Sequence, residues 1–179
     1  MSLPAQLTKH TGRDKPSDDM AKAEEDYTRR DSLRLRTFDY TSRRIYFVTI
    51  VAAERRRIFN DKRVAQATLD CLHELRHKMR FNLYVYCLMP DHFHGLIGIG
   101  AANKSLGAIC GAFKSLSTRG FWQWYEGKLW QRQFFDHIIR NEEEFFETRD
   151  YIRLNPVRKN LVESWEQWPY TASPDKLYS

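Results

Sequence analysis

Residues 82–99 read NLYVYCLMPDHFHGLIGI, and this stretch decides the fold. Its two halves, 82–88 and 92–99, are rich in the aromatic, β-branched and other apolar residues of strands. Residues 89–91 between them, MPD, are typical of a tight turn. The stretch therefore predicts a hairpin of two antiparallel strands.

Upstream of the hairpin, the pattern predicts a strand and then a helix. Residues 45–51 read IYFVTIV, a β-branched and aromatic run suited to a central strand. Asn60 or Asp61 can cap a helix, because a short polar side chain accepts hydrogen bonds from the free N–H groups of the first turn. Apolar residues then recur at helical spacing as far as Arg80.

Downstream, the pattern predicts a helix over 106–116, a fourth strand over 130–139 and a last helix. Asn141 followed by Glu144 is a capping-box pattern that opens the last helix, and Pro156 is expected to end it. The order βαββαβ with a C-terminal helix predicts an α+β, ferredoxin-like (RRM-like) antiparallel sheet. Helices on one face of such a sheet leave the other face available for a ligand.

The chain has 179 residues and a net charge of +6, enough length for about one domain. Residues 1–40 contain equal numbers of acidic and basic residues and few large apolar ones, so we predict a mobile, charged N-terminal arm. The whole positive excess then falls in the domain of residues 41–179. Such a domain attracts polyanions, although a basic surface that serves only solubility would have the same composition.

No apolar run approaches the roughly 18 to 20 residues of a membrane-spanning helix, and the first ten residues lack the apolar core of a signal peptide. We therefore expect a cytoplasmic protein with no membrane partner. Cys71, Cys87 and Cys110 are far apart and lack the paired spacing of zinc or redox sites. They are predicted to be reduced and mostly buried.

The hairpin also contains two candidate metal ligands. Because side chains alternate along a strand, His92 and His94 share one face and Phe93 points to the other. Two neutral imidazoles on one face can bind a divalent ion, and Gly95 is expected to let a substrate backbone approach. Two hydrogen-bonded strand histidines with no metal would give the same pattern.

The last helix offers a candidate nucleophile and a third ligand. Tyr151 and Asn155 are four residues apart and therefore lie on the same helix face. Phe145 and Ile152 mark the buried stripe, which places Tyr151 roughly 100° around the helix from that stripe. An amphipathic tyrosine at a helix–sheet junction has the same placement without any catalytic role.

Several separate motifs together resemble one known family. Residues 88–95 read LMPDHFHG, 130–132 read WQR with Asp136 and His137 after them, and 151–158 read YIRLNPVR. Leu161-Val162 and Trp168-Pro169 follow. In order and spacing these motifs resemble the REP-associated tyrosine transposases, relatives of the single-tyrosine HUH transposases of bacterial insertion sequences.

The resemblance implies that His92 and His94 are the metal ligands and that Tyr151 is the nucleophile. Asn155 stands where insertion-sequence relatives usually carry a metal-binding glutamine. Asparagine keeps the carbonyl oxygen but is one methylene shorter, and Pro156 is expected to push Asn155 out of helical geometry. Asn155 is therefore a candidate ligand that departs from the family pattern.

The implied activity is cleavage and rejoining of single-stranded, hairpin-forming DNA through a 5′-phosphotyrosine intermediate. Mg²⁺ or Mn²⁺ is the expected cofactor, since zinc suits two histidines, one amide and a phosphate less well. We expect a monomer or homodimer associated with the nucleoid. Trp122, Trp124 and Trp130 could stack on unpaired bases. Predicted DNA contacts, besides the arginines of residues 55–57, are Arg43, Arg44, Lys114, Arg119, Arg132, His137, Arg140, Arg153, Arg158 and Lys159.

Two other functions fit parts of the pattern. A non-catalytic RRM-like module could bind single-stranded nucleic acid on the open sheet, although the two hairpin strands lack the aromatic signature of such modules. A metal-dependent hydrolase is the second alternative. Against it, Asp91 precedes the histidine pair, whereas one such hydrolase class has its aspartate after the pair.

Overall fold

The computed structural model describes residues 44–100, 102 and 104–177. The predicted arm of residues 1–40 and the predicted DNA contact Arg43 lie outside the described residues. Cys87 and Cys110 are buried and Cys71 is half-buried, in line with the predicted burial, and none of the three forms a disulfide. None of the described helices has the length and apolar character needed to cross a membrane.

The secondary structure follows the predicted order βαββαβ with a helix after it. The elements are β1 Ile45–Val51, α1 Lys62–Met79, β2 Asn82–Met89, β3 His92–Gly98, α2 Leu106–Phe121, β4 Phe135–Ile138, α3 Glu142–Arg158 and the short β5 Thr171–Ala172. Single 3₁₀ turns occupy Ala53–Arg55, Ile58–Asn60 and Trp165–Gln167. The sheet has the strand order β4-β1-β3-β2-β5, and its described strand pairs are antiparallel. The predicted α+β, ferredoxin-like fold is confirmed.

The two faces of the sheet are covered by different helices. On one face, Phe93 of β3 packs on Phe113 of α2, with ring centroids 5.2 Å apart, and α1 packs beside α2. On the other face, Phe145 and Ile152 of α3 join a buried cluster with Leu96 and neighbouring residues of β2. His92 and His94 alternate with Phe93 and share the face of Leu96, so α3 and the two histidines lie on the same side of the sheet.

The prediction that Pro156 ends the last helix is wrong, because α3 continues to Arg158 with the proline inside it. A proline in a helix removes one backbone hydrogen bond. The helix ends at Arg158, and two residues further on Asn160 has a left-handed φ of 53°. The N–H of Asn160 donates to the Val157 carbonyl and that of Leu161 to the Pro156 carbonyl. These two bonds form a Schellman motif, which closes the last turn beyond the proline.

The predicted fourth strand over 130–139 is too long. Only Phe135–Ile138 pairs with β1, and Trp130 forms an isolated bridge with Ala52. The third strand also stops at Gly98, one residue before the predicted end. Asp61 caps α1 as expected, with its side chain accepting from the N–H of Arg63.

Candidate active site

His92 and His94 converge on one point at the edge of the face that α3 covers. In the β1–β3 register, His94 lies opposite Thr49 and His92 opposite Val51. The Nε2 atoms of the two imidazoles are 3.0 Å apart. His94 is buried, with 6% of its surface exposed, and His92 is half-buried. The alternation of the strand therefore brings the two rings together as predicted.

The second nitrogen of each imidazole has its own partner. Nδ1 of His92 lies 2.6 Å from the Asp91 carboxylate, and Nδ1 of His94 lies 2.9 Å from the Thr49 hydroxyl. A carboxylate only accepts hydrogen bonds, so Nδ1–H of His92 donates and the Nε2 of a neutral ring keeps its lone pair. The hydrogen bond from His92 in turn lowers the pKa of Asp91. Asp91 and Thr49 thus orient the two rings.

The environment of His94 favours its neutral form. Burial lowers the pKa of His94 well below its usual 6.5, and the charges of His92 and Lys159 lower it further. A neutral imidazole is the form that binds a metal ion. Lys159 follows Arg158, the last residue of α3, whose guanidinium carbon lies 5.1 Å from the centre of the Tyr151 ring.

Tyr151 approaches the same point from α3. Its ring centroid lies 5.9 Å from that of His94 and 5.9 Å from that of Phe47 on β1. The side chain is half-buried, whereas Ile152 is fully buried, as the predicted helical stripe required. The guanidinium carbon of Arg158 lies 5.1 Å from the centre of the Tyr151 ring. The phenol is thus beside the histidine pair, with a cation over its face.

Asn155 lies one helical turn after Tyr151 and remains in helical geometry, contrary to the prediction that Pro156 displaces it. Only 4% of its surface is exposed. Its side-chain amide makes no hydrogen bond to any residue that the structure describes. The amide atoms are not among the buried polar atoms that lack a partner, so they still reach solvent and are available to a ligand. Within the described residues, no three His, Cys, Asp or Glu side chains form a metal-binding group.

Gly95 has a different role from the predicted one. A β-carbon at this position would lie 2.8 Å from the ring of Phe93, on the face covered by α2 and away from the histidines. The glycine therefore makes room for the Phe93 ring, and a substrate backbone would not reach it from the side of the histidine pair.

The predicted DNA contacts occupy three different environments. Arg158 and Lys159 lie at the end of α3 beside the site. Three other side chains are engaged within the protein: Lys114 donates to the Arg132 carbonyl, His137 pairs with Glu144, and Arg153 stacks on Trp165 and donates to Ser173. The remaining ones are exposed, namely Arg44, Arg119, Arg132 and Arg140.

The three tryptophans also lie in different environments. Trp130 is 4% exposed, packs on Phe59 and Phe113, and donates its indole N–H to Ser117. It belongs to the core, and the prediction that it could stack on bases is wrong. Trp122 is 58% exposed and remains available, while Trp124 lies under the guanidinium of Arg63.

Sequence reasoning did not identify the two residues that orient the imidazoles. Asp91 was noted only for its place before the histidine pair, and that adjacency is the signal that could have suggested a partner for His92. Thr49 lies 45 residues from His94 in sequence, so only the strand register reveals the contact.

Comparison with known proteins gives consistent results. The sequence model of the family described as "Transposase IS200 like" matches residues 40–155. A putative REP-associated tyrosine transposase of Haemophilus influenzae is 26% identical over 152 residues, covering 75% of this chain and 82% of the relative. The REP-associated tyrosine transposase of Escherichia coli is 24% identical over 91 residues, or 51% of this chain and 53% of the relative.

One solved structure has a similar fold. It is described as a REP-associated tyrosine transposase bound to a REP hairpin. The TM-score is 0.65 at 20% sequence identity, and the match covers 75% of this chain and 79% of that one. This match shows the same fold, and the family model and the two relatives confirm the resemblance inferred from the sequence motifs.

Proposed function

Because the chain belongs to the IS200-like transposase family, we propose that it cleaves and rejoins single-stranded DNA, with Tyr151 as nucleophile. The observation that carries the proposal is the meeting of three side chains from distant parts of the sequence. The Nε2 atoms of His92 and His94 are 3.0 Å apart, and the Tyr151 ring lies 5.9 Å from the His94 ring. Such a combination suits a metal-assisted attack on a phosphate.

The histidine pair fits a hard divalent ion such as Mg²⁺ or Mn²⁺. The two Nε2 atoms are 3.0 Å apart, a hydrogen-bond distance that is also close enough for both to bind one ion. We propose His92 and His94 as ligands and the unpartnered Asn155 amide as a third, through its oxygen. When bound, the ion would withdraw charge from the oxygens of the scissile phosphate.

The chemistry needs no external energy source. The Tyr151 oxygen forms a bond to phosphorus as the bond from phosphorus to the 3′ oxygen breaks. The phenol proton leaves to solvent, and the departing 3′ oxygen takes up a proton. One phosphoester replaces another, so a 3′-hydroxyl can attack the 5′-phosphotyrosine and reverse the reaction without ATP. Cleavage and rejoining thus use the same residues.

Arg158 and Lys159 support the nucleophile from the end of α3. A guanidinium over an aromatic ring attracts the π electrons and limits the ring to one orientation. A phenol also gains negative charge as it attacks, and a nearby cation stabilises that charge. We therefore assign Arg158 to the tyrosine and propose that Lys159 meets the DNA backbone beside His94.

We propose a folded single strand, such as a hairpin with an unpaired flank, as the substrate. The similar solved structure is described as bound to a REP hairpin, which motivates this choice. The excess positive charge supplies the sequence-independent part of the affinity. Exposed Trp122 would be free to stack on a base.

Formation of a covalent adduct tests the proposal. Hairpin DNA from the genomic neighbourhood of the gene, labelled at its 3′ end, is incubated with protein and Mn²⁺, and denaturing gels are examined for a labelled protein band. We expect this band with the unmodified protein and with Tyr125→Phe, a control that removes the hydroxyl of an exposed tyrosine bonded to Asp61. Tyr151→Phe should abolish the band while DNA binding persists.

His92→Ala is the second arm of the same experiment. Loss of a metal ligand should suppress the adduct by at least tenfold. An adduct that survives Tyr151→Phe would show that another residue is the nucleophile. Binding without any adduct in the unmodified protein would favour the non-catalytic RRM-like alternative, and release of free 5′-phosphate without an adduct would favour a hydrolase.

A further inference from the structure

The loop of residues 53–57, sequence AERRR, follows β1 directly and has an unusual backbone. We call it the arginine loop. Glu54 has φ 58° and Arg55 has φ 52°, two consecutive residues in the left-handed region without a glycine. Residues 54–57 are all exposed. Left-handed backbone is costly for such residues and persists only where the surroundings impose it, often at functional sites.

Backbone hydrogen bonds attach the arginine loop to the turn that precedes the histidine pair. The N–H of Ala52 donates to the Asp91 carbonyl at 2.8 Å, and that of Phe59 donates to the Pro90 carbonyl at 3.0 Å. The N–H of Ala53 donates to the Leu129 carbonyl at 2.8 Å. Both ends of the loop are therefore fixed relative to His92, which Asp91 orients.

The three arginines of the loop are not equivalent. Arg56 donates to the Lys128 carbonyl at 2.5 Å and to the Ala53 carbonyl, so its side chain secures the loop. The guanidinium groups of Arg55 and Arg57 make no hydrogen bond or ion pair to any of the described residues. Because Ala52 is bonded to Asp91 and Phe59 to Pro90, Arg55 extends from a loop held against the turn that leads into His92. Arg55 is thus a cation without a partner among the described residues, next to that turn.

The arginine loop and Tyr151 lie at opposite ends of the site. Along β1, Phe47 contacts Tyr151, Thr49 contacts His94, and Val51 lies opposite His92. The loop begins just after that strand. Because an in-line attack expels the leaving group on the side opposite the nucleophile, the released 3′ oxygen would face the loop.

We propose that Arg55 binds backbone phosphates of the DNA segment on the 5′ side of the cut, the segment that ends in the free 3′-hydroxyl after cleavage. This inference rests on the proposed function. Tyr151 retains the other segment covalently, but the released one needs a non-covalent contact to remain in place for rejoining. Backbone hydrogen bonds at both ends of the loop fix the point from which the Arg55 side chain extends, so mainly side-chain freedom is lost on binding.

The phosphate contact is tested by salt-dependent binding of a fluorescent thymidine 20-mer, which does not require cleavage. Arg55→Asn removes the charge, and asparagine tolerates left-handed backbone. Arg80→Asn is the matched control, because Arg80 is exposed, has φ 55°, and lies at the far end of the 18-residue α1, about 27 Å along the helix axis. Affinity falls as the salt concentration rises, and each lost phosphate contact makes the plot of log K against log salt less steep by about 0.7.

We expect that reduction for Arg55→Asn, with weaker binding at low salt, while Arg80→Asn behaves as the unmodified protein and Arg55→Lys retains most of the affinity. Equal slopes for Arg55→Asn and the unmodified protein would overturn the contact. This measurement is informative even if no covalent adduct ever forms, so failure of the inference and failure of the proposed function are distinguishable.

The side of the cut is tested by rejoining. Purified phosphotyrosine adduct is mixed with increasing amounts of an oligonucleotide that ends in a 3′-hydroxyl and carries the sequence 5′ of the cut. For Arg55→Asn we expect at least a threefold higher concentration at half-maximal joining, with an unchanged maximal rate. An unchanged half-maximal concentration, together with weaker competition by the oligonucleotide from the 3′ side, would place Arg55 on the other segment and refute the assignment.

Discussion

Asp91→Asn tests whether the hydrogen bond behind His92 controls metal binding. In the folded protein the Asp91 carboxylate lies 2.6 Å from Nδ1 of His92, and its side chain is 27% exposed. The carboxylate forces the proton of the neutral ring onto Nδ1 and leaves Nε2 free for the ion. An asparagine amide can donate or accept, so the ring can also adopt the tautomer with the proton on Nε2, which cannot bind a metal.

The size of the effect follows from this loss of orientation. Partners behind a metal-binding histidine typically change metal affinity 10- to 100-fold. Asparagine keeps an oxygen that can still accept from Nδ1–H, so we expect Asp91→Asn to weaken Mn²⁺ binding roughly tenfold, or about 1.4 kcal/mol. Asp91→Ala removes the acceptor and should approach 100-fold, or about 2.7 kcal/mol.

Mn²⁺ binding to the DNA-free protein is measured by electron paramagnetic resonance, so that the result does not depend on cleavage. Asp70→Asn is the control, because Asp70 is an exposed carboxylate on α1 that accepts from Gln66. His92→Ala identifies the site. If His92→Ala abolishes binding and Asp91→Ala leaves the affinity unchanged, the hydrogen bond has no role in metal binding and the reasoning is refuted.

Two further predictions concern stability. Gly95→Ala places a β-carbon 2.8 Å from the buried Phe93 ring and should cost about 1 to 3 kcal/mol in urea denaturation. Gly111→Ala, in α2 with nothing within 4 Å, should gain about 0.5 to 1 kcal/mol, and a Gly95→Ala protein of normal stability would contradict the packing. Burial alone would raise the pKa of Asp175, but hydrogen bonds from Arg76 and from the backbone outweigh burial and lower it. Asp175→Asn should therefore reduce the free energy of unfolding by its full amount above about pH 4, and the reduction should disappear as the pH falls through the lowered pKa. A reduction that does not change with pH would exclude the ion pair as its source.

The sequence predicted the elements well because each depends on local pattern. The alternation of His92, Phe93 and His94 is a property of any strand, and the stripe of Phe145 and Ile152 is a property of any amphipathic helix. The errors arose where a tertiary contact overrode a rule based on local sequence. Pro156 is a helix breaker by propensity, yet the helix continues past it to Arg158, where the hydrogen bonds of Asn160 and Leu161 close the last turn.

Other features could not be read from local pattern at all. Trp130 looks like any exposed aromatic in a basic segment, and only the packing of α2 against the sheet shows that it fills the core. The contact of Thr49 with His94 needs the register of two strands that are far apart in the chain. The left-handed backbone at Glu54 and Arg55 could not be predicted, because neither residue is the glycine that usually marks such a conformation in a sequence.

The position of Tyr151 follows from the same contacts that stabilise the domain. Leu96 shares the sheet face of His94, and Ile152 of α3 is buried in one cluster with Leu96. Burying Ile152 on this face therefore brings the adjacent Tyr151 beside His94, even though the two functional residues are distant in sequence. Core packing and site geometry are coupled, so Ile152→Ala should displace Tyr151, the proposed nucleophile, and reduce adduct formation while the proposed Mn²⁺ binding by the histidines persists. Equal loss of both activities would instead indicate general unfolding, which circular dichroism at the assay temperature would reveal.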